Sequence, residues 1–489
     1  MPILDILDQE YLSKSSDQNQ AELKNMYLEA DPNKGKYKYI ALPMPGLTLF
    51  SDTGLANIRC LFSVQERLYA VAANKLLYID SNGNIITLGT LNTSADSSTV
   101  KAKIKAITGA SDNNHQLLVI DGINGYQYNT STSVGQFPIT NSNFPQTAID
   151  IETQDDYVTA VLNNSISYQW CNVSDTTTWN VLNFASKTGQ ADGLNAMLSH
   201  ENVMWEFGTQ TTELATNVGD PDLPFTKNST FLHYGCPARY TIAVNGNYYI
   251  FMSSNAHGGY SIYQTLPRIY YYNPAPVSTP PIDYQIGQWT TVNDSFGNIY
   301  NVDGHEFYEL TSPSANQTFI YDIPKSQQAD AQKGAWYKRE SYINGSYGRF
   351  LGNTRAFCYG KRLVGDFNSG KIYYEDSSNY TENGTAIRRQ FVSPSGPTYA
   401  GGNRVIFSRM QIDIETGVGS NETFTLEKSI DNGATWQLVN TYTIPPKGGR
   451  IYENRLGSSR YGMIFRITTT MNAKFAILGF QVNAEPCHS

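Results

Sequence analysis

A short apolar or aromatic run, a turn rich in Asn, Gly, Asp or Ser, and a second such run recur along this chain about every 40 to 55 residues. The units begin at Arg67 (RLYAVAANKLLYID), His115 (HQLLVIDGINGYQYN), Asp156 (DYVTAVLNNSISYQWC) and Glu201 (ENVMWEFGTQTTELAT). They continue at Asn247 (NYYIFMSSNAHGGYSIYQ), Asn298 (NIYNVDGHEFYELTS) and Thr354 (TRAFCYGKRLVGDFNSGKIYYED). Each has the pattern of two antiparallel strands joined by a tight turn. One hairpin cannot bury its own apolar face, whereas about six stacked radially can, leaving only short protected edges. The spacing therefore predicts an all-β chain. Its body is a β-propeller of roughly six blades over residues 50–390, with the first and last units sharing a blade to close the ring.

The flanks follow other patterns. Residues 1–49 form a polar lead-in, an extended arm with a short helix expected around Gln20 to Ala30, then the basic stretch Lys34, Lys36, Lys38. Pro43-Met44-Pro45-Gly46 follows, whose prolines stop regular structure. A Pro-rich interruption from Asn273, NPAPVSTPP, reads as an exposed extended loop. In residues 391–489 the runs VIFSRMQIDIETG, ETFTLEKSIDNGATWQLV and YGMIFRITTTMNAKFAILGFQV alternate over longer stretches, predicting a β-sandwich-like module suited to assembly.

Composition agrees with strands. Tyr 34 and Phe 21 are abundant, charged residues make up only 16%, and Gly 39 with Pro 21 supplies turns. The formal net charge of -8 argues against tight wrapping of duplex DNA, which relies on Lys and Arg displacing counterions from phosphates. DNA passing nearby stays compatible with it. The start, MPILDILDQEYL, carries acids where a secretory signal has a basic cluster, and no apolar run approaches a membrane span, so a soluble product made in a cytoplasm is expected. Cys60, Cys171, Cys236, Cys358 and Cys487 are scattered without a C-x-x-C, which points to neither a disulfide framework nor a zinc site.

Catalytic chemistry is thin. Ser429-Ile430-Asp431-Asn432-Gly433-Ala434-Thr435-Trp436 matches the Asp-box of sialidase-type propellers, a turn in which Asp431 accepts backbone N–H groups, Gly433 takes positive φ and Trp436 packs under the hairpin. Ser429 and Thr435 complete it. A sialidase would repeat the box and add an arginine cluster and a Tyr/Glu nucleophile pair. His115, His200, His233, His257 and His305 are singletons at unrelated spacings, and Asp155-Asp156 and Asp220-Pro221-Asp222 sit beside turns, where Asp commonly serves the backbone. Neither metal nor cofactor is expected. In VKAKIKAIT, Lys101, Lys103 and Lys105 alternate, so on a strand they share one face, either as solvated charge or as a contact to an acidic partner or passing phosphate.

Four ordered segments carry a resemblance. They are WEFGTQTTELATNVGDPDLPF from Trp205 with Gly235-Cys236; Gly304-His305-Glu306-Phe307-Tyr308 with Tyr321-Asp322 and Trp336; CYGKRLVGDFNSGKIYYED with TENGTAIRR; and RMQIDIETGVG through the Asp-box to Arg455-Leu456-Gly457. Over roughly residues 200–480 the chain resembles the packaged-DNA stabilisation proteins of short-tailed bacteriophages, the tail hub or nozzle family. The MPI start, Pro45-Gly46 and the blade pattern extend the likeness toward the amino terminus.

The resemblance implies a non-catalytic virion tail protein. In such tails a homo-oligomeric ring, a hexamer, lies below the portal and head-to-tail adaptor, with genomic DNA passing along the ring axis without sequence-specific binding. A needle or plug closes its far end, and fibres or spikes attach nearby. Lys34, Lys36 and Lys38 are the expected charged contact to the adaptor, interleaved with Tyr37 and Tyr39. A glycan-binding or sialidase-like propeller is the alternative, motivated by the Asp-box and by Tyr270, Tyr271 and Tyr272. A cellular scaffold propeller is a third class, without WD-type signatures to support it.

Overall fold

The computed structural model describes residues 3–4, 22–30, 37–92, 101–108, 114–190, 192–254, 258–265, 274–324, 335–394, 404–419, 421–460 and 462–487. Each of the seven hairpins falls within an antiparallel four-stranded unit: the first five form its middle, the Asn298 hairpin its first two strands, and the Thr354 segment its first three. The first runs from Ile58 to Thr90, the second from Lys103 to Gln136, the third from Asp150 to Ser186 and the fourth from Leu194 to Leu232. The fifth runs from Ala243 to Pro276 and the sixth from Phe296 to Lys338. The seventh combines Gly352–Cys358, Lys361–Asp366 and Lys371–Asp376 with Gly46–Asp52. Among the described residues the ring thus has seven blades, not roughly six, because the closing strand comes from upstream of the first hairpin and completes the last blade without merging the two.

Closure is a long-range ladder: Lys371 pairs with Asp52 and Tyr374 with Thr48. The first strand of blade seven then lies against that of blade one, where Asn353 Nδ2 donates to the Ile58 carbonyl at 2.7 Å and Leu61 N–H to Thr354 Oγ1 at 3.0 Å. Two-residue turns set the registers. Both central residues take positive φ at Asp155 (48°) and Asp156 (63°), Glu201 (52°) and Asn202 (63°), and Asp303 (48°) and Gly304 (87°), matching the right-handed twist of the strands they join. Apolar clusters fill the gaps between neighbouring blades. Tyr69, Val71, Leu117 and Val119 join blades one and two, and Trp205, Phe207, Tyr249 and Phe251 join four and five. Each such side chain, fully buried, contributes about 1.5–3 kcal/mol.

The chain's two ends meet in one structure. Where a helix is expected around Gln20 to Ala30, the described residues form strands, Glu22–Lys24 and Met26–Ala30. Leu23, Met26 and Tyr27 have helix-like spacing, but neighbouring strands offered ladder partners and pairing won over periodicity. Glu22–Lys24 lies between the outer strand of blade six, Ala335–Lys338, and Arg389–Val392, so blade six continues into Ile464–Thr469, Thr423–Ser429 and Gln437–Thr443 as one nine-stranded sheet. Met26–Ala30 and Tyr39–Pro43 join Ile477–Pro486, Val405–Ile414 and Ile451–Ser459 in a second sheet. Leu23, Met410, Phe465 and Phe480 belong to the core between these sheets. The Pro-rich segment also differs from an exposed loop. Ala275–Pro276 pairs with blade five, and Pro280–Gly287 is a helix with proline at its first turn, where a missing N–H costs nothing.

Candidate functional site

Lys101, Lys103 and Lys105 lie on and just before the first strand of blade two, and all three have partners within the chain. Lys103 Nζ is 2.6 Å from Asp150, and Lys105 pairs with Glu152, both acids on the first strand of blade three. Burial pulls the Lys103 ammonium down, but the Asp150 and Glu152 carboxylates outweigh it and hold it above the ordinary lysine value. Lys101 instead bonds Asn353 Oδ1 at 2.8 Å and stands 3.3 Å from the Phe296 ring centroid. Burial, with Arg349 nearby, holds its ammonium well below the usual range. Alternation along the strand aimed the lysines one way, and the neighbouring innermost strands supply the acceptors. Arg239 adds a brace from the short turn Arg239–Thr241, donating to the Ile149 carbonyl and to Asn195 Oδ1, each at 2.9 Å.

A second charged cluster sits between blades six and seven. Arg355 donates to Glu309 from Nε at 3.2 Å and Nη2 at 2.8 Å, while its Nη1 is 3.0 Å from Glu375. Arg339 reaches Glu375 at 2.9 Å. The guanidinium carbons of Arg355 and Arg339 stack 3.7 Å from the Tyr300 and Phe350 ring centroids respectively. Burial pushes Glu375 up, but Arg355 and Arg339 outweigh it and hold the carboxyl below its ordinary value. A carboxylate held ionised by arginines, as Glu375 is, makes a poor proton donor, and the cluster fastens the two blades together. Sequence reading missed it. The available signal is that Glu309 and Glu375 interrupt apolar strands at inward-facing positions. Beside it opens a cleft of about 580 Å³ lined by Val244, Asn245, Asn298, Glu306, Phe357 and Arg362. Glu306 there accepts hydrogen bonds from Asn245 and Tyr248.

The Asp-box forms its expected turn. Thr435 N–H donates to Asp431 Oδ1 at 2.9 Å, Gly433 N–H donates to Ser429 Oγ at 2.8 Å, and Gly433 has φ 88°. The hydroxyls of Thr435 and Ser429 and the Thr435 amide hold Asp431 down to about 2. Trp436 departs from expectation: it is half-buried, with Arg466 4.1 Å from its ring centroid, and Arg466 in turn pairs with Glu427 at 2.6 Å. The tail of the hairpin is a sheet edge, so the ring covers a neighbouring strand and does not enter the core.

The remaining predicted residues stay apart. His115 and His200 are buried, His233 is exposed, and His305 Nδ1 meets Asp322 at 2.9 Å; His257 lies outside the described residues, as do Tyr270, Tyr271 and Tyr272. Asp220 accepts the amides of Asp222 and Leu223, as turn acids do. Among the described residues no group of His, Cys, Asp and Glu is arranged to hold a metal. Lys34 and Lys36 lie outside the described residues, while Lys38 is exposed with its ammonium 4.8 Å from the Tyr39 ring centroid.

These observations define, among the described residues, a seven-bladed β-propeller braced by buried charge, locked by the strand Gly46–Asp52 from upstream of its first hairpin and continued at one blade into sheets built from both chain ends. A family model described as bacteriophage P22 Gp10, beta-propeller, matches residues 4–380, and the chain belongs to this phage stabilisation family. No curated protein matches in sequence. Among solved structures, the Pan2 WD40 domain of Neurospora crassa is similar with TM-score 0.40 and 8% identity, covering 68% of this chain and 95% of that one. The extracellular domain of BT4673 from B. thetaiotaomicron is similar with TM-score 0.39 and 10% identity over 87% of this chain and 60% of that one. An exo-beta-1,3-galactanase from Phanerochaete chrysosporium is similar with TM-score 0.28 and 10% identity over 90% of this chain and 100% of that one.

Proposed function

We propose that this phage DNA-stabilisation protein is the tail hub, or nozzle, subunit: copies form a ring, a hexamer, below the portal and adaptor, line the DNA exit channel, retain the packaged genome and let it pass at ejection. The family match over residues 4–380 carries this reading. Two structural features support it physically. A packed genome pushes outward, so its conduit needs stiff walls, and close-packed aromatic interfaces between blades yield little under load. The closing strand and the charge fastenings between blades oppose opening of the disc in the same way. The sheets formed from both chain ends supply contacts to neighbouring copies and to the adaptor.

Two measurements test this. Mass measurement of the purified protein with and without its adaptor ring should give a closed ring on the adaptor. Virions lacking the protein should fill with DNA and then leak it. Full heads that stay stable without it would overturn the assignment.

A further inference from the structure

The chain is acidic overall, yet one ribbon of it is basic. Val405–Ile414 and Ile451–Ser459 pair antiparallel, and Ile451–Ser459 is the edge of its sheet. Val405, Phe407, Met410, Ile412 and Ile451 turn inward to the core. Arg404, Arg409, Arg450, Arg455 and Arg460, all exposed, lie on the ribbon or at its ends. Along the edge strand the arginines recur every five residues, an odd interval that in a regular strand would send Arg455 to the face opposite Arg450 and Arg460.

The ladder is irregular at that point. Phe407 pairs with Gly457 but Arg409 with Asn454, and Arg455 itself has φ 58° with Gly457 at 107°. Bulges of this kind re-aim a side chain, and a non-glycine residue held at positive φ persists only where the surroundings impose it. The irregularity leaves Arg455 exposed with the others. Among the described residues none of Arg404, Arg409, Arg455 and Arg460 forms an ion pair; Arg409 stacks 4.1 Å from the Tyr452 ring centroid, which holds its guanidinium along the ribbon. Ser408, Gln411, Asn454 and Ser458 occupy positions between them. Among the described residues, the acids on the ribbon and the strand beside it are Asp413, which accepts from Gln411 and Tyr37, Glu453, which accepts from Tyr442 and Asn440 of the other sheet, and Glu485.

We infer that this face contacts the sugar–phosphate backbone of duplex DNA without reading its sequence. Arginines interspersed with Ser, Asn and Gln are the residue types that bond phosphate oxygens and position a duplex. The ten steps from Arg450 to Arg460 span at most roughly 33 Å, within one turn of B-DNA. The choice of DNA as the polyanion rests on the genome-retaining function proposed above, but the basic face does not, so the experiment uses isolated components.

Fluorescence anisotropy with a labelled 30-base-pair duplex, titrated from low to physiological salt, tests the contact. With up to five phosphate contacts the log affinity should fall with log salt at a slope of up to about −4.5, reaching the non-specific range of about 10⁻⁴ to 10⁻⁶ M at physiological salt. Two unrelated sequences should bind alike. The variant Arg409→Gln/Arg455→Gln/Arg460→Gln should lower the slope by about 2.7 and weaken binding at least tenfold at 50 mM salt. The corresponding Arg→Lys variant, which keeps the charge, should retain most of both and shows that folding is intact. An unchanged slope in the Gln variant would overturn the inference. Binding of poly-glutamate but not of the duplex would also overturn it and assign the ribbon to an acidic protein. Leakage from virions lacking the chain reads the proposed function separately from this contact.

Discussion

Arg355 grips Glu309 with two guanidinium nitrogens, at 3.2 Å and 2.8 Å, from the first strand of blade seven to the second strand of blade six. Glu309 is fully buried, so its charge has no access to water and depends on arginine. Removing one partner of a buried pair costs up to about 3–5 kcal/mol, and less where another charge remains, as Arg339 does 3.7 Å from Glu309. Arg355→Ala should therefore destabilise the chain by up to about that amount, and Arg355→Ala with Glu309→Gln by less than the sum of the two single changes. Chemical denaturation of the variants checks this; additive losses would mean that the two residues act independently.

The closing strand begins at Gly46, whose amide donates to the Asn379 carbonyl at 2.8 Å. A Cβ there would lie 2.5 Å from Thr381 O and 2.6 Å from Asn379 O, both backbone atoms that cannot swing aside. Gly46→Ala should cost at least the ~1–3 kcal/mol typical of overpacking. Hydrogen exchange of the Leu47–Ser51 amides should accelerate before that of blades two to four. Uniform exchange across the ring would show that closure is not the weak point.

Glu382 is buried beside Ser341, whose Oγ donates to it at 2.9 Å, with Arg339, Arg389 and Asp366 nearby. Burial raises its carboxyl from 4.5 to about 7, so the folded chain holds a proton that the unfolded chain releases. The resulting stability is fully present below the unfolded value of 4.5 and is lost as pH rises through about 7. Its size is about 3 kcal/mol, from some 2.5 pKa units at 1.36 kcal/mol each. The stability difference between wild type and Glu382→Gln should change by that amount across this window in denaturation at stepped pH. A flat difference would reject the assignment.

Trp436 stacks on Arg466 and is half-buried, so Trp436→Ala should cost about 1–2 kcal/mol, below the ~3–5 kcal/mol of a fully buried tryptophan. Asp431→Ala should speed exchange of the Thr435 amide that it accepts, with little change in the propeller. A variant that folds and assembles normally yet loses a binding activity would make the turn a site.

The sequence by itself determined the repeating hairpins, the all-β class and the Asp-box turn. Alternation and two-residue turns are local rules, readable wherever Asp155-Asp156 or Asp303-Gly304 stand between apolar runs. The segments quoted from Trp205 onward also pointed to the family whose match spans residues 4–380. Tertiary structure decided the rest. The seventh blade exists because Gly46–Asp52 finds Lys371–Asp376, a pairing between distant parts of the chain that no local pattern encodes. Leu23, Met26 and Tyr27 have helical spacing but lie in strands, since two sheets offered open ladder partners on either side. Lys103 and Lys105 read as a solvated or partner-facing stripe until Asp150 and Glu152 of the next blade stand opposite them. A charge shows its sign in the sequence, but its partner depends on which blades become neighbours.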